Sequence, residues 1–164
     1  MHKLKNPSVT VAVVAFVSVL FLGMLSPLAA KADELGFGQR IAGTYFTDES
    51  GDMHRIVTIT AEDNWLSIHT DQFGVAFSNQ QGTWKKTDKR DVTVETLDIG
   101  YHPTTGMVTG FTRVRYALRF DSDFKTFSGT FTVTSFAADQ DPLDDEGMVV
   151  ATDRPITGRR LIVK

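Results

Sequence analysis

The chain contains no cysteine in its 164 residues. Disulfide frameworks, thiolate metal centres and thiol nucleophiles are therefore excluded, as is a lipid-modified cysteine at a processed N-terminus. A second absence is helical periodicity: beyond Ala32 no stretch of 11 or more residues repeats apolar positions at helical spacing. A third is clustered basic charge, without which nucleic acid and anionic membrane surfaces are poor partners. Metal-ligand spacing is missing as well, because His54, His69 and His102 form no His-x-His or similar pair. No catalytic motif is recognisable either.

What is present begins with residues 1–32. His2, Lys3 and Lys5 make a basic start, an apolar run extends from Val9 to Leu25, and Ser26-Pro27 break it before Leu28-Ala29-Ala30-Lys31-Ala32. These are the parts of a secretory signal peptide. The apolar run is near the lower limit for a membrane-spanning helix, about 17 residues. Pro27 and the small residues after it favour cleavage, after Ala32 or as second choice after Ala30. The expectation is an exported protein, periplasmic or extracellular, with no stable membrane anchor after cleavage. Cleavage removes Lys3, Lys5 and Lys31 and no acid, so Lys+Arg falls from 17 to 14 against 20 Asp+Glu, a formal net of −6. The remainder divides into a lead-in, 33–40, and a single domain, 41–164.

That domain is expected to be all-β. Segments rich in Thr, Val, Ile and Phe recur at Ile41–Thr47, Met53–Thr60, Trp65–Thr70, Val75–Lys86, Asp91–Tyr101, Gly110–Phe120, Thr126–Phe136 and Ile156–Val163, with an extra extended piece at Met148–Thr152. Turn-forming clusters separate them, such as Asp48-Glu49-Ser50-Gly51-Asp52 and Asp121-Ser122-Asp123. Pairing Phe120 with Phe127 sets Tyr116 against Phe131, Val114 against Val133, Arg115 against Thr132 and Arg113 against Thr134. One register thus sorts two strands into an apolar and a polar face. In the fifth segment Val92 and Val94 share one parity and Leu97, Ile99 and Tyr101 the other, and a bulge near Glu95-Thr96 would reunite them. Eight strands with one apolar face each, and no helix to cover it, must fold on themselves. Short sequential connections favour an eight-stranded antiparallel up-and-down barrel over a sandwich.

The chain resembles the lipocalins and the wider calycin group. Phe37-Gly38-Gln39-Arg40-Ile41-Ala42 leads into Gly43-Thr44-Tyr45, similar to the family's Gly-x-Trp at the first strand, with Tyr45 in place of tryptophan. Gly158-Arg159-Arg160-Leu161-Ile162-Val163 stands where the family's last strand carries a basic residue across that aromatic. The resemblance implies a lipocalin-like barrel closed by Tyr45 with Arg159 or Arg160. No C-terminal helix follows the last strand. Gly-Thr-aromatic recurs at Gly82-Thr83-Trp84 and Gly129-Thr130-Phe131, as expected where a curved strand needs a glycine beside a large inward ring.

For function, the first expectation is a small apolar or aromatic molecule held inside the barrel by Trp84, Tyr116, Phe131 and Val133, without a cofactor. An eight-stranded barrel is wide enough either for a packed interior or for one small ligand, and the residues leave both open. The alternative is a barrel enzyme, a cyclase, isomerase or dehydratase, with His102, Asp98 and Glu95 as acid–base groups at the mouth. His54 and His69 read as surface residues, and Arg113, Arg115 and Arg119 as a solubilising outer stripe. Asp139, Asp141, Asp144, Asp145 and Glu146 lack calcium-loop order and read as a solvated loop or a lid. A third reading is an interaction or inhibitor protein acting through loops 48–52 and 139–147. Oligomeric state is left open by the residues.

Overall fold

The computed structural model describes residues 36–49, 52–143 and 146–164. The leader, with its cleavage sites, lies outside the described residues, as do Asp144 and Asp145. The barrel belongs to one compact unit, Phe37–Lys164. Its strands are β1 (Gly43–Glu49), β2 (His54–Ile59), β3 (Asn64–His69), β4 (Gln80–Lys86), β5 (Asp91–Tyr101), β6 (Val108–Phe120), β7 (Thr126–Ala137) and β8 (Met148–Arg160). Each pairs antiparallel with the next, and β8 returns to β1 from Tyr45↔Arg160 to Glu49↔Ile156. The result is the expected closed up-and-down barrel. Helix is confined among the described residues to 36–41 (α1) and the single turn Gln72–Val75 (α2).

The β6–β7 hairpin has the expected register, Phe120↔Phe127, Tyr116↔Phe131, Val114↔Val133 and Arg113↔Thr134 included. Three expectations need correction. The segment from Val75 does not run straight into a strand: α2 and a lone bridge, Phe77↔Gly100, precede β4 at Gln80. Met148–Thr152 is not part of a connection but the first half of β8, which ends at Arg160. The bulge near Glu95-Thr96 does not exist, because β5 pairs β6 in unbroken register from Asp91 to Gly100 and shifts only at Gly100/Tyr101. Leu97 and Ile99 therefore keep the outward parity, and the inward series is Val92, Val94, Thr96, Asp98.

The repeated glycines have a steric reason. A Cβ on Gly82 would stand 1.9 Å from Glu95 O, and one on Gly129 would stand 2.0 Å from Ala117 O. At both places neighbouring backbones approach too closely for any side chain, and the aromatic two residues on, Trp84 or Phe131, is buried.

The interior has two ends of different chemistry. Where α1 packs, Phe37 lies 5.9 Å from Trp84, 6.5 Å from Phe120 and 5.7 Å from Phe124, ring centre to ring centre. Tyr45, Ile59, Trp65, Val92 and Phe127 fill the space beside them. Such tilted and edge-on aromatic pairs add about 0.5–1.5 kcal/mol each beyond the area they bury. This end is sealed. Arg160 finishes it: its guanidinium lies 5.9 Å from the Tyr45 ring centre and donates to Ala42 O and, at 3.0 Å, to Arg40 O. Tyr45 Oη is 2.8 Å from Ile41 O and 3.2 Å from Phe124 O. Burial pushes this phenol up to about 12, against the opposing charge of Arg160. Arg159, one residue earlier, points outward and is exposed.

Candidate functional site

Towards the other end, the same inward parity carries polar residues. Glu49 ends β1, Arg55 is second in β2, Ser67 and His69 are in the last half of β3, Gln80 opens β4, and Asp98 is near the end of β5. Tyr116 approaches them from β6. Strand alternation explains the placement: Arg55 shares parity with Val57 and Ile59, and His69 with Trp65. Glu49, Arg55, Ser67, His69, Gln80 and Asp98 are each under a tenth exposed, and Tyr116 is fully buried.

These groups form one network. Arg55 donates through Nε to Glu49 Oε1, through Nη2 to Glu49 Oε2 at 3.3 Å, and through Nη1 to Gln80 Oε1. Its guanidinium also lies 5.7 Å from the Tyr116 ring centre and 5.6 Å from that of Phe131. Ser67 Oγ and Tyr116 Oη, each at 3.1 Å, donate to the same Gln80 oxygen. On the other side of that carboxamide, Gln80 Nε2 donates to Asp98 Oδ2 at 2.8 Å. His69 Nδ1 accepts the Asp71 backbone N–H at 3.1 Å, and Nε2 faces Glu49 Oε2 at 3.7 Å. Phe77 stands against the imidazole with ring centres 5.7 Å apart.

Environment separates the two carboxyls. Burial raises Glu49, but hydrogen bonds from His69 and Arg55, with their charges, outweigh it and hold the group below its ordinary 4.5. Burial also raises Asp98, and there hydrogen bonds from Gln80 and Thr112 with the charges of Arg55 and His69 fail to offset it, so the group stays above 3.8. Burial drives Tyr116 to about 12. Two carboxyls pushed in opposite directions differ in their readiness to give and to take a proton.

The residues singled out from sequence are dispersed. Of His102, Asp98 and Glu95, only Asp98 points into the barrel. His102 is exposed in the β5–β6 turn, where Nδ1 accepts the Thr104 and Thr105 N–H groups at 3.3 Å. Glu95 is on the outer face, gripped by Arg115 Nε and Nη2 at 2.9 and 2.6 Å. Tyr116 is part of the polar cluster and Phe131 stands 5.6 Å from Arg55, the half-buried Val133 packs against the apolar core, and Trp84 belongs to the sealed end and donates to Thr60 O at 3.1 Å. His69, read as a surface residue, is the inward histidine. Arg113 is not part of a solvated stripe but buried on the outer side of the sheet, 5.1 Å from the Phe136 ring centre and bonded to Pro142 O at 3.3 Å. A Cβ on Gly147 would touch Phe136 and Thr134, so the described parts of the acidic loop lie along the outside of β6–β7 rather than across the mouth. Among the described residues no group of three His, Asp or Glu is arranged to hold a metal.

An eight-stranded antiparallel closed barrel in sequential order is consistent with the lipocalin-like fold. No family model, curated protein or solved structure matches the chain.

Proposed function

We propose that this protein binds a small molecule in the polar end of its barrel, with an aromatic or apolar body against Phe131, Tyr116 and Val133 and a polar head on the Arg55–Gln80–Asp98 network. The observation that carries this reading is the convergence of seven polar side chains from six strands into a space that apolar residues would fill at lower cost. Removing ions and amides from water costs several kcal/mol per ion before pairing offsets it. A barrel needing only stability has no use for that arrangement. The leader-type sequence of residues 1–32 supports action outside the cytoplasm, periplasmic or extracellular.

The test is titration with a lipophilic fluorophore while following tryptophan emission, since Trp65 lies 5.5 Å from Tyr116, ring centre to ring centre. Saturable binding that survives Trp84→Phe and weakens in Val133→Phe supports the reading. Absence of saturable binding across a varied lipophile panel overturns it. A second reading, a barrel enzyme, rests on the opposed protonation of Asp98 and Glu49. Proton transfer would then fall to those two groups with His69, in place of His102 and Glu95.

A further inference from the structure

Gln80 is the hub of the buried network, and its bonding is oversubscribed. An amide oxygen offers two in-plane lone pairs. Yet Arg55 Nη1, Ser67 Oγ and Tyr116 Oη all converge on Gln80 Oε1. Nearby, Trp65 Nε1 is buried with no acceptor in reach among the described residues, on the ring that packs against Tyr116. Three buried donors thus share one amide oxygen, and a fourth, on the Trp65 indole, has no partner among the described residues. An unmatched buried donor is costly. Donors converging on one point form a recognition surface for an oxygen.

Resting on the reading that the polar end is a ligand site, we infer that its ligand presents a planar carbonyl flanked by an N–H, of amide, lactam or urea type, with its oxygen in the place now held by Gln80 Oε1. The side chain of Gln80 supplies the template for both halves of that group. Its oxygen satisfies Arg55, Ser67 and Tyr116, and its nitrogen satisfies Asp98 Oδ2. A ligand amide reproduces every one of these bonds once the Gln80 side chain swings aside.

Charge selects the neutral group over a carboxylate. The Arg55 cation already has the Glu49 carboxylate as its buried counter-ion. His69 Nε2 faces the same carboxylate at 3.7 Å, so both basic side chains of the cluster are engaged with Glu49. A carbonyl adds no charge to this interior, whereas a carboxylate adds one that nothing there neutralises.

The experiment uses the folded protein with Gln80→Gly, which deletes the stand-in carboxamide, and benzamide, benzoate and ethylbenzene as probes. Benzamide is expected to bind Gln80→Gly at least tenfold more tightly than wild type and to raise its melting temperature. Ethylbenzene, of like size, and benzoate should show no such gain, and adding Ser67→Ala should weaken benzamide several-fold. Equal binding of benzamide and ethylbenzene, or tighter binding of benzoate, overturns the inference. If Gln80→Gly does not fold, the side-chain amide resonances of Gln80 in wild type give the same answer. They should move with benzamide and stay with ethylbenzene, and unmoved resonances at high benzamide refute the displacement. A fluorophore that binds while the three probes are not discriminated sinks only this inference. A barrel that admits no fluorophore sinks the ligand-site reading beneath it.

Discussion

Substituting Glu49→Gln isolates the electrostatics of the buried cluster with almost no change of shape. The Glu49 carboxylate receives two donors of Arg55, and the Arg55 side chain is only 6% exposed. Glutamine fills the same volume but removes the counter-ion, leaving a guanidinium in low dielectric. Breaking a buried pair from one side costs about 3–5 kcal/mol. Against a total stability of about 5–15 kcal/mol for an ordinary domain, that is a large fraction. The assay is urea unfolding, followed by tryptophan emission, for wild type and variant between pH 7 and pH 3.5. The pH dependence follows from the direction of the Glu49 shift. Its folded value is below the ordinary 4.5, so its stabilisation is complete above 4.5 and is lost as pH falls through the lower folded value. The gap between wild type and variant should thus be widest at neutral pH and narrow on acidification. Asp98, relieved of competition for Arg55, should titrate lower in the variant. A loss below about 1 kcal/mol at pH 7, or a gap that widens in acid, would refute the idea that Arg55 depends on this carboxylate.

The other buried carboxyl should behave in the opposite sense. Asp98 is raised above 3.8 in the fold, so it costs nothing below that value and weighs against the folded state as pH rises through its folded value. Asp98→Asn should therefore leave acid stability unchanged and raise stability at pH 7, in the same urea series. At the sealed end, Arg160→Ala loses two charge-assisted bonds and the Tyr45 face and should cost about 2–4 kcal/mol. Arg159→Ala, on the exposed side, should stay within about 0.5 kcal/mol, and thermal melts of the two variants compare them directly. Gly82→Ala places a Cβ 1.9 Å from Glu95 O and should cost about 1–3 kcal/mol in a chemical melt. Glu95→Ala removes only an outer-face pair with Arg115, and a shift above about 1 kcal/mol would be inconsistent with its exposure.

Reading the strands from the sequence went astray at a particular place for a physical reason. In β5 the inward series Val92, Val94, Thr96, Asp98 was present in strict alternation. A bulge became necessary only on the assumption that Leu97 and Ile99 had to share a face with the valines. That assumption equates inside with apolar. The same equation assigned His69 to the surface, although it alternates correctly with Trp65. The signal available was parity itself: Glu49, Arg55, Ser67, His69, Gln80 and Asp98 all occupy inward positions of strands that also send Tyr45, Val57, Trp65, Trp84 or Val94 inward. What parity lacks is any statement of which strand ends meet.

The chain's own pattern was sufficient for the strand succession, the β6–β7 register and the closure of the sheet, because alternation and turn chemistry are local and a face without a helical cover has to curl. It also placed Tyr45 and Arg160 near opposite termini, ready to meet. Only the closed barrel decided that six strands deliver their polar residues to one end, and that His102 and Glu95 stay outside while Asp98 goes in. Those outcomes depend on stagger between neighbouring strands, which accumulates around the sheet and is written in no single segment.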